Sequence, residues 1–572
     1  MKEWKLKNKT FQKQRSELYG YHPVIAKLLY YRGLKDQDQA EKFFNPEYDE
    51  LHDPFLFSDM KKAVKRIFKA IDNKEKILIH GDYDADGVTS AAVLYKTLKK
   101  LGNTPDVFIP HREKDGYGLN TKNIKKFVES GVDLLITVDC GITNVKEIKA
   151  LADQGIETIV TDHHEPPEQL PEAVAILDPK VEKCSYPFKE LAGVGVAYKL
   201  AVALLDTAKP ERLKKADFSQ FGETKGFKKW LLDLVAVGTV ADIVPLLEEN
   251  RILVKWGLVV LNQTKNIGLK KLFKKLNTAK VEEFTIGYQI APRLNAAGRL
   301  KSAQNAFELL VTEDEGEAER LVCDLDQNNK KRQDIVEKAM IQARQTVIQR
   351  DKILFLYHEE WLPGVVGLIA GRLSEEYYKP VLAMTSSVNG IVGSGRSIEG
   401  VNIIFNLRRA GEYLLRFGGH SGACGFTLKS PAVKEKFERK MKQVIERDLS
   451  GKELKPFLTV DMKIKLREVD IFLLRSLERF SPYGEKNEKP LFLINDLQIA
   501  AMDLIGKKQN HLRLMVKQDL PILSKMILFS RGKEWFERLD VGDKIKVVCQ
   551  LGINRWNGNE EPEYKIVDIK LV

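Results

Sequence analysis

From about residue 75 the sequence alternates short apolar runs with helical segments, and no other feature narrows the fold so far. KILIH reads as a strand, DYDADG as an acidic loop, and VTSAAVLYKTLKKLG as a helix closed by Gly102. Further strand-like runs follow at DVFIP, DLLITVD, ETIVTD and AVAILDP, separated by helical stretches. Strand–helix alternation of this kind predicts an α/β domain with a mainly parallel, doubly wound sheet. In such sheets the site lies outside the carboxyl ends of the strands. Three of these runs lead straight into Asp or His.

The candidate chemistry sits in four segments, all expected at strand ends. They are IHGDYDADG with His80, Asp82, Asp84 and Asp86; TVDCG with Asp139; TDHHEP with Asp162, His163 and His164; and AVGTVADIVP with Asp242. Each alone fits a helix cap or a solvated loop. Gathered at one edge of one sheet, their carboxylates repel each other unless cations neutralise them. Carboxylates with imidazole favour Mn²⁺ or Mg²⁺ over Zn²⁺, since no thiolate pattern joins them. Cys140 beside Asp139 is expected to point into the core. A pair of cations about 3.5–4 Å apart is a standard device for phosphoryl transfer, and Asp139, central in the run, is the natural bridge.

Beyond this region, EDEGEAERLVCDLDQNNKKRQDIVEKAMIQARQTVIQR (about 313–350) predicts one or two long helices linking two lobes. A second α/β lobe starts at KILFLY, continues through the helix GVVGLIAGRLSEEYY and the strand PVLAMT, and reaches IVGSGRS, expected as a strand entering a glycine-rich turn. After about residue 452 strands and turns dominate, which predicts a small antiparallel β barrel. The expected division is 1–50, an N-terminal segment with little signal; 51–312, the catalytic domain; 313–350, the connecting helix; 351–452, the second lobe; and 453–572, the barrel.

TDHHEP, preceded by DYDADG and TVDCG, resembles the DHH phosphoesterase superfamily. The resemblance implies one metal held by His80, Asp84 and Asp139, and a second held by Asp86, Asp139, His163 and Asp242. His164 then stands beside the scissile phosphate as an acid or phosphate contact, and Asp82 and Asp162 fall outside the ligand sets. IPHREKDGYG (Arg112, Tyr117), APRLNAAGRL (Arg293, Asn295, Arg299), GVVGLIAGRL, GSGRS (Ser394, Arg396, Ser397) and GGHSGACG (His420) resemble, in this order, RecJ-type nucleases with their DHHA1 domain and C-terminal OB-fold. That family implies a two-metal 5′→3′ exonuclease on single-stranded DNA in recombination and repair, with a terminal-phosphate pocket in the second lobe. It also implies a single-strand-binding protein and a helicase as partners. The glycine-rich pieces equally fit tight turns, Arg396 equally fits a pairing with a carboxylate, and Tyr483, Trp535 and Trp556 in the barrel fit either base stacking or core. Two rival readings are a DHH phosphodiesterase for short oligonucleotides or cyclic dinucleotides, and a non-catalytic replication scaffold of the same fold. The extra β domain argues against the first, and the full set of candidate ligands against the second.

A formal charge of +12 suits a polyanion partner, with basic stretches at LKKLFKK, NNKKRQ and RKMKQ. Five scattered cysteines form no CxxC pair and no disulfide framework. No apolar run reaches the roughly 18 residues of a membrane span, and the basic N-terminus lacks the core of a secretion signal, so a cytoplasmic monomer is expected.

Overall fold

The apolar runs between residues 76 and 178 form five short strands: β1 Ile77–Gly81, β2 Asp106–Phe108, β3 Leu134–Val138, β4 Glu157–Thr161 and β5 Ala175–Leu177. The structure is a computed structural model, and it describes residues 2–7, 17–112, 115–116, 118–300, 302–388, 390–451, 455–519 and 522–572. The strands pair in parallel in the order β2-β1-β3-β4-β5. β1 and β3 are buried along their whole length, which is why their sequences are continuously apolar rather than alternating. The chain leaves β1 for the edge strand β2 and returns to β3 on the other side. The winding direction therefore reverses between β1 and β3, and a crevice opens at their carboxyl ends.

Helix α1 (Ala85–Lys100) follows β1, with Asp84 as its N-cap accepting from the amides of Asp86 and Gly87. Helices α2 (Gly193–Thr207) and α3 (Leu232–Ala241) pack on α1. Here one expectation is corrected. Asp242 does not end a strand but caps α3. LDLVAVGTVA is apolar on nearly every side because α3 is buried all round, so no helical period distinguishes it from a strand.

Helix α4 (Ala291–Leu300) continues from a π-helical turn at Ile286–Ile290. The acidic and basic stretch after it is one helix, α5 (Glu315–Thr346), 32 residues long and so about 48 Å. The second sheet has the order β9-β10-β8-β7-β6, built from β6 Leu354–Tyr357, β7 Val381–Ser387, β8 Gly390–Arg396, β9 Leu414–Gly419 and β10 Ala423–Leu428. Only β6 and β7 run parallel. Helix α6 (Pro363–Tyr377) covers β7 and β8. Ser394 and Arg396 lie within β8 rather than in a turn, which corrects a second expectation. Gly395 is there for close packing. A Cβ on it would stand 2.5 Å from Cys424 Sγ and 2.8 Å from Leu382 Cδ2.

These elements belong to one compact unit, His52–Asp242 with Gly257–Lys455. The other unit gathers Met1–Leu51, Ile243–Trp256 and Pro456–Val572. In it, Phe492–Ile505, His511–Lys517, Ser524–Leu528, Asn559–Leu571 and Lys544–Trp556 pair in that order and close back on Phe492–Ile505 as a five-stranded barrel. One pairing, Ser524–Leu528 with Asn559–Leu571, is parallel. The N-terminal helices Pro23–Tyr31 and Gln37–Phe44 share the barrel's core through Leu28, Leu29, Phe43 and Phe44. The segment 243–256 is pinned there by Arg251, which is 1% exposed. Its five N–H groups donate to the carbonyls of Phe43, Arg479, Phe480, Ser481 and Pro482.

Candidate active site

Each loop that leaves β1, β3 and β4 turns its polar side chains toward the β1/β3 crevice. Asp86, in the first turn of α1, receives the amides of Gly193 and Val194 at the N-terminus of α2, at 2.7 and 2.9 Å. Asp139, one residue past β3, holds φ at +58°, a left-handed conformation that costs a non-glycine residue about 1–2 kcal/mol. Gly193 permits the close approach of this carboxylate. A Cβ there would lie 2.7 Å from Asp139 Oδ1. His163, after β4, places Nε2 3.1 Å from Asp139 Oδ1, 3.6 Å from Asp242 Oδ2 and 3.9 Å from Asp86 Oδ2.

Among the described residues, three overlapping groups of donor atoms result, each within 4.8 Å: Asp86, His163 and Asp242; Asp139, His163 and His164; and Asp82, Asp84 and Asp139. Asp139 belongs to two of them. Asp82, expected outside the ligand sets, joins Asp84 here. His80 is in none of these groups. It is fully buried between Phe108 and Phe127, with Nδ1 3.6 Å from Cys140 Sγ. Among the described residues, the buried atoms His80 Nε2, Asp82 Oδ1, Asp139 Oδ1 and His163 Nε2 have no hydrogen-bond partner.

Electrostatics of the cluster favour a cation. Burial, then the neighbouring carboxylates, push Asp82, Asp139 and Asp242 well above the usual carboxylate range, and Asp86 up to about 7. Burial likewise lowers His80 to about 4 and His163 to about 3, so both imidazoles are neutral and offer lone pairs. Carboxylates held this close, with orphaned donor atoms facing each other, suit divalent ions with oxygen and imidazole ligands.

Asp162 serves the frame. It accepts from the amides of Ile142, His163 and His164 and lies 2.7 Å from His164 Nδ1. Burial opposes charge on His164, but the bond and charge of Asp162 outweigh it and lift the imidazole to about 9. Asp162 thus favours the charged form of this imidazole. Two residues near the cluster have no counterpart among the sequence-based candidates. Asp178 follows β5 as the other acids follow their strands, and burial raises it to about 7. Lys180 lies close enough for its charge to bear on His163 and Asp242. The run AVAILDPK, a strand ending in Asp like its neighbours, was the available signal.

The expected phosphate contacts divide. Arg112 covers the Tyr83 ring at 5.0 Å, and its charge bears on both Arg299 and Arg396. Burial and the charges of Arg112 and Arg332 lower Arg299 to about 10, so positive charge gathers here. Arg299 also donates to the Gly364 carbonyl at the start of α6, and Arg396 to Ser394 Oγ and the Gly395 carbonyl. Others are committed elsewhere. Arg293 pairs with Asp326, Asn295 Oδ1 accepts from the Ala85 amide and braces the start of α1, and the Ser397 hydroxyl donates to the Val401 carbonyl. His420 is exposed in the β9–β10 turn, where its amide donates to the Ala423 carbonyl. Tyr117 lies outside the described residues.

A doubly wound sheet with this acid–histidine cluster at its switch point, followed by a second α/β lobe, defines a DHH-type phosphoesterase. Residues 76–239 match the DHH family N-terminal domain, 350–447 the DHHA1 domain and 460–568 the RecJ OB domain. The chain belongs to the RecJ family. It is 38% identical to the single-stranded-DNA-specific exonuclease RecJ of Bacillus subtilis (strain 168), over 96% of this chain and 68% of the relative. It is 33% identical to that of Escherichia coli (strain K12), over 96% of each. Crystal structures of RecJ from Thermus thermophilus are similar in fold. The Mn²⁺ complex has a TM-score of 0.83 and 29% identity, covering 99% of this chain and 79% of that one. The Mg²⁺ complex gives 0.75 and 28%, covering 99% and 78%.

Proposed function

We propose that this chain is a single-stranded-DNA-specific exonuclease that removes 5′-mononucleotides from the 5′ end, with Mn²⁺ or Mg²⁺ as cofactor. The observation that carries the reading is the meeting of Asp86, Asp139, His163 and Asp242 around unpartnered donor atoms in the β1/β3 crevice. These four residues would hold one ion. Asp84 and Asp139, joined by Asp82 or by His80 Nε2, would hold the second. Divalent ions bound there lower the pKa of water and stabilise charge on the attacked phosphate.

The chain's own residues supply the remainder. Asp162 orients His164 and favours its charged form, so His164 is placed to donate a proton to the departing 3′ oxygen as its bond to phosphorus breaks. The shortened strand then carries a new 5′-hydroxyl or 5′-phosphate according to which P–O bond breaks, and release of 5′-mononucleotides requires the latter. The positive charge around Arg112, Arg299 and Arg396 holds the phosphates at the strand's end. The setting we infer is the cytoplasm, in recombination and repair. A single-strand-specific enzyme needs its substrate unwound and kept open, which fits a helicase and a single-strand-binding protein as partners. Digestion of 5′-labelled and 3′-labelled oligonucleotides with Mn²⁺ tests polarity directly. Labelled mononucleotide should appear at once from the 5′ label and late from the 3′ label, and the reverse order would overturn the assignment.

Two further outcomes follow from the site. Stripping divalent ions leaves the carboxylates facing each other, so each site filled by Mn²⁺ at 100 times its Kd should add about 2.7 kcal/mol to the unfolding free energy. A melting curve unmoved by Mn²⁺ would deny that these carboxylates hold ions. Arg396→Ala should slow digestion of 5′-phosphorylated strands much more than of 5′-hydroxyl strands, by about 10-fold or more, the worth of one charge-assisted hydrogen bond. An unchanged preference in the folded variant would remove Arg396 from the terminal pocket.

A further inference from the structure

Away from the crevice, the helical turn Glu283–Thr285 and the π-helical turn that follows it each present one aromatic ring to solvent. Phe284 and Tyr288 are 60% and 72% exposed. Their rings stack at 4.6 Å between centroids and 23° between planes. Exposed side chains of this size contribute nothing to a core, and burial of either would be the ordinary outcome. Their position is fixed from below. The π-helical turn packs on α3, where a Cβ on Gly287 would lie 4.0 Å from Val240 Cγ1, two residues before Asp242. The stacked pair therefore adjoins the helix that carries a candidate metal ligand.

Beside it lies a cluster of three cations around one carboxylate. Arg293 donates to the Gln289 carbonyl, one residue past Tyr288, and pairs with Asp326 at 2.9 Å. Lys330 and Lys275 approach the same carboxylate at 3.2 and 4.0 Å. One buried carboxylate is thus shared by three cations. Two of the basic runs noted in the sequence, LKKLFKK and NNKKRQ, meet here from different helices. Aromatic faces beside positive charge are the two ingredients of single-strand binding without sequence preference.

We propose that single-stranded DNA crosses this surface on its way to the crevice. Bases stack on the Phe284–Tyr288 pair, and neighbouring phosphates are held by the Lys275–Arg293–Lys330 cluster. The inference rests on the strand-degrading reading above and names where that strand is gripped beyond the chemistry. Stacking accepts every base, so the grip gives reach along the strand without readout of sequence.

The test uses the full chain with Mn²⁺ and 5′-phosphorylated thymidine oligonucleotides of increasing length, each also made with one abasic residue moved along it. For the unaltered enzyme, KM should drop at the length that reaches the platform, and an abasic residue at that position should raise KM about 10- to 100-fold. Phe284→Ala/Tyr288→Ala should lose both effects while kcat on the shortest substrate stays unchanged. Lys275→Gln/Lys330→Gln should lower the slope of log affinity against log salt by about 1.4, at about 0.7 per single-strand phosphate contact. A length step and an abasic penalty that persist in the aromatic variant overturn the platform. An unchanged salt slope overturns the phosphate cluster. Failure of the unaltered enzyme to shorten any strand overturns the underlying reading instead.

Discussion

Asp139→Asn should reduce hydrolysis of single-stranded DNA by at least about a thousandfold, equivalent to about 4 kcal/mol of barrier. Among the described residues, Asp139 is the one carboxylate shared between the Asp82–Asp84 group and the His163 group, so its charge is common to both candidate ion positions. Asparagine keeps its shape and tolerates the left-handed backbone at φ +58°, so the loop after β3 should survive the change. Removing a buried charge that its neighbours repel should leave the metal-free variant at least as stable as the unaltered enzyme. Oligonucleotide binding should persist, because phosphate contacts at Arg112, Arg299 and Arg396 are untouched. Activity lost, stability kept and binding kept is a combination that misfolding cannot produce. Turnover within about tenfold of the unaltered enzyme would remove Asp139 from the chemistry.

Arg251→Met should destabilise the barrel-bearing unit by about 3–5 kcal/mol, because it removes the guanidinium donor from the carbonyls of Phe43, Arg479 and Ser481, while those of Phe480 and Pro482 keep Asn487 Nδ2. Five backbone carbonyls, from Phe43 and from the run 479–482, accept all five guanidinium N–H groups, and the guanidinium also lies 3.8 Å over the Phe43 ring. Methionine fills the volume but donates nothing, and each carbonyl left buried and unpaired costs about 1–3 kcal/mol before relaxation and water entry recover part of it. Lysine cannot rescue the site, since a single ammonium has three donors and no planar fork. Urea unfolding followed by tryptophan fluorescence would read this directly. A midpoint shift worth less than about 1 kcal/mol would show that Arg251 is not what holds 243–256 and the 479–482 run in place.

Much of the catalytic fold was legible because its signals are local. Buried parallel strands are continuous apolar runs, and the switch-point rule sends the site to their carboxyl ends. Asp84, Asp86, Asp139, His163 and Asp242 therefore lie together as their segments suggested. What stayed hidden depends on tertiary partners. The helical setting of Asp242 was invisible because α3 is apolar all round. Residues 1–50 and Arg251 carry no local signature, since each acts through a contact hundreds of residues away in sequence. Arg293, Asn295 and Ser397 look like anion ligands by residue type, but their partners are Asp326, the Ala85 amide and the Val401 carbonyl. Residue type states what a side chain can bind, and packing decides what it does bind.

The shared role of Asp139 is tested most directly by counting ions. Metal-free enzyme titrated with Mn²⁺ and monitored by the signal of the free ion should take up two per chain, as expected for a two-metal phosphoryl-transfer site. Asp139→Asn should lose at least one of them together with hydrolysis. Two ions retained by the Asp139→Asn enzyme with unchanged affinity, or full hydrolysis by a chain that binds none, would contradict a metal centre built around this residue.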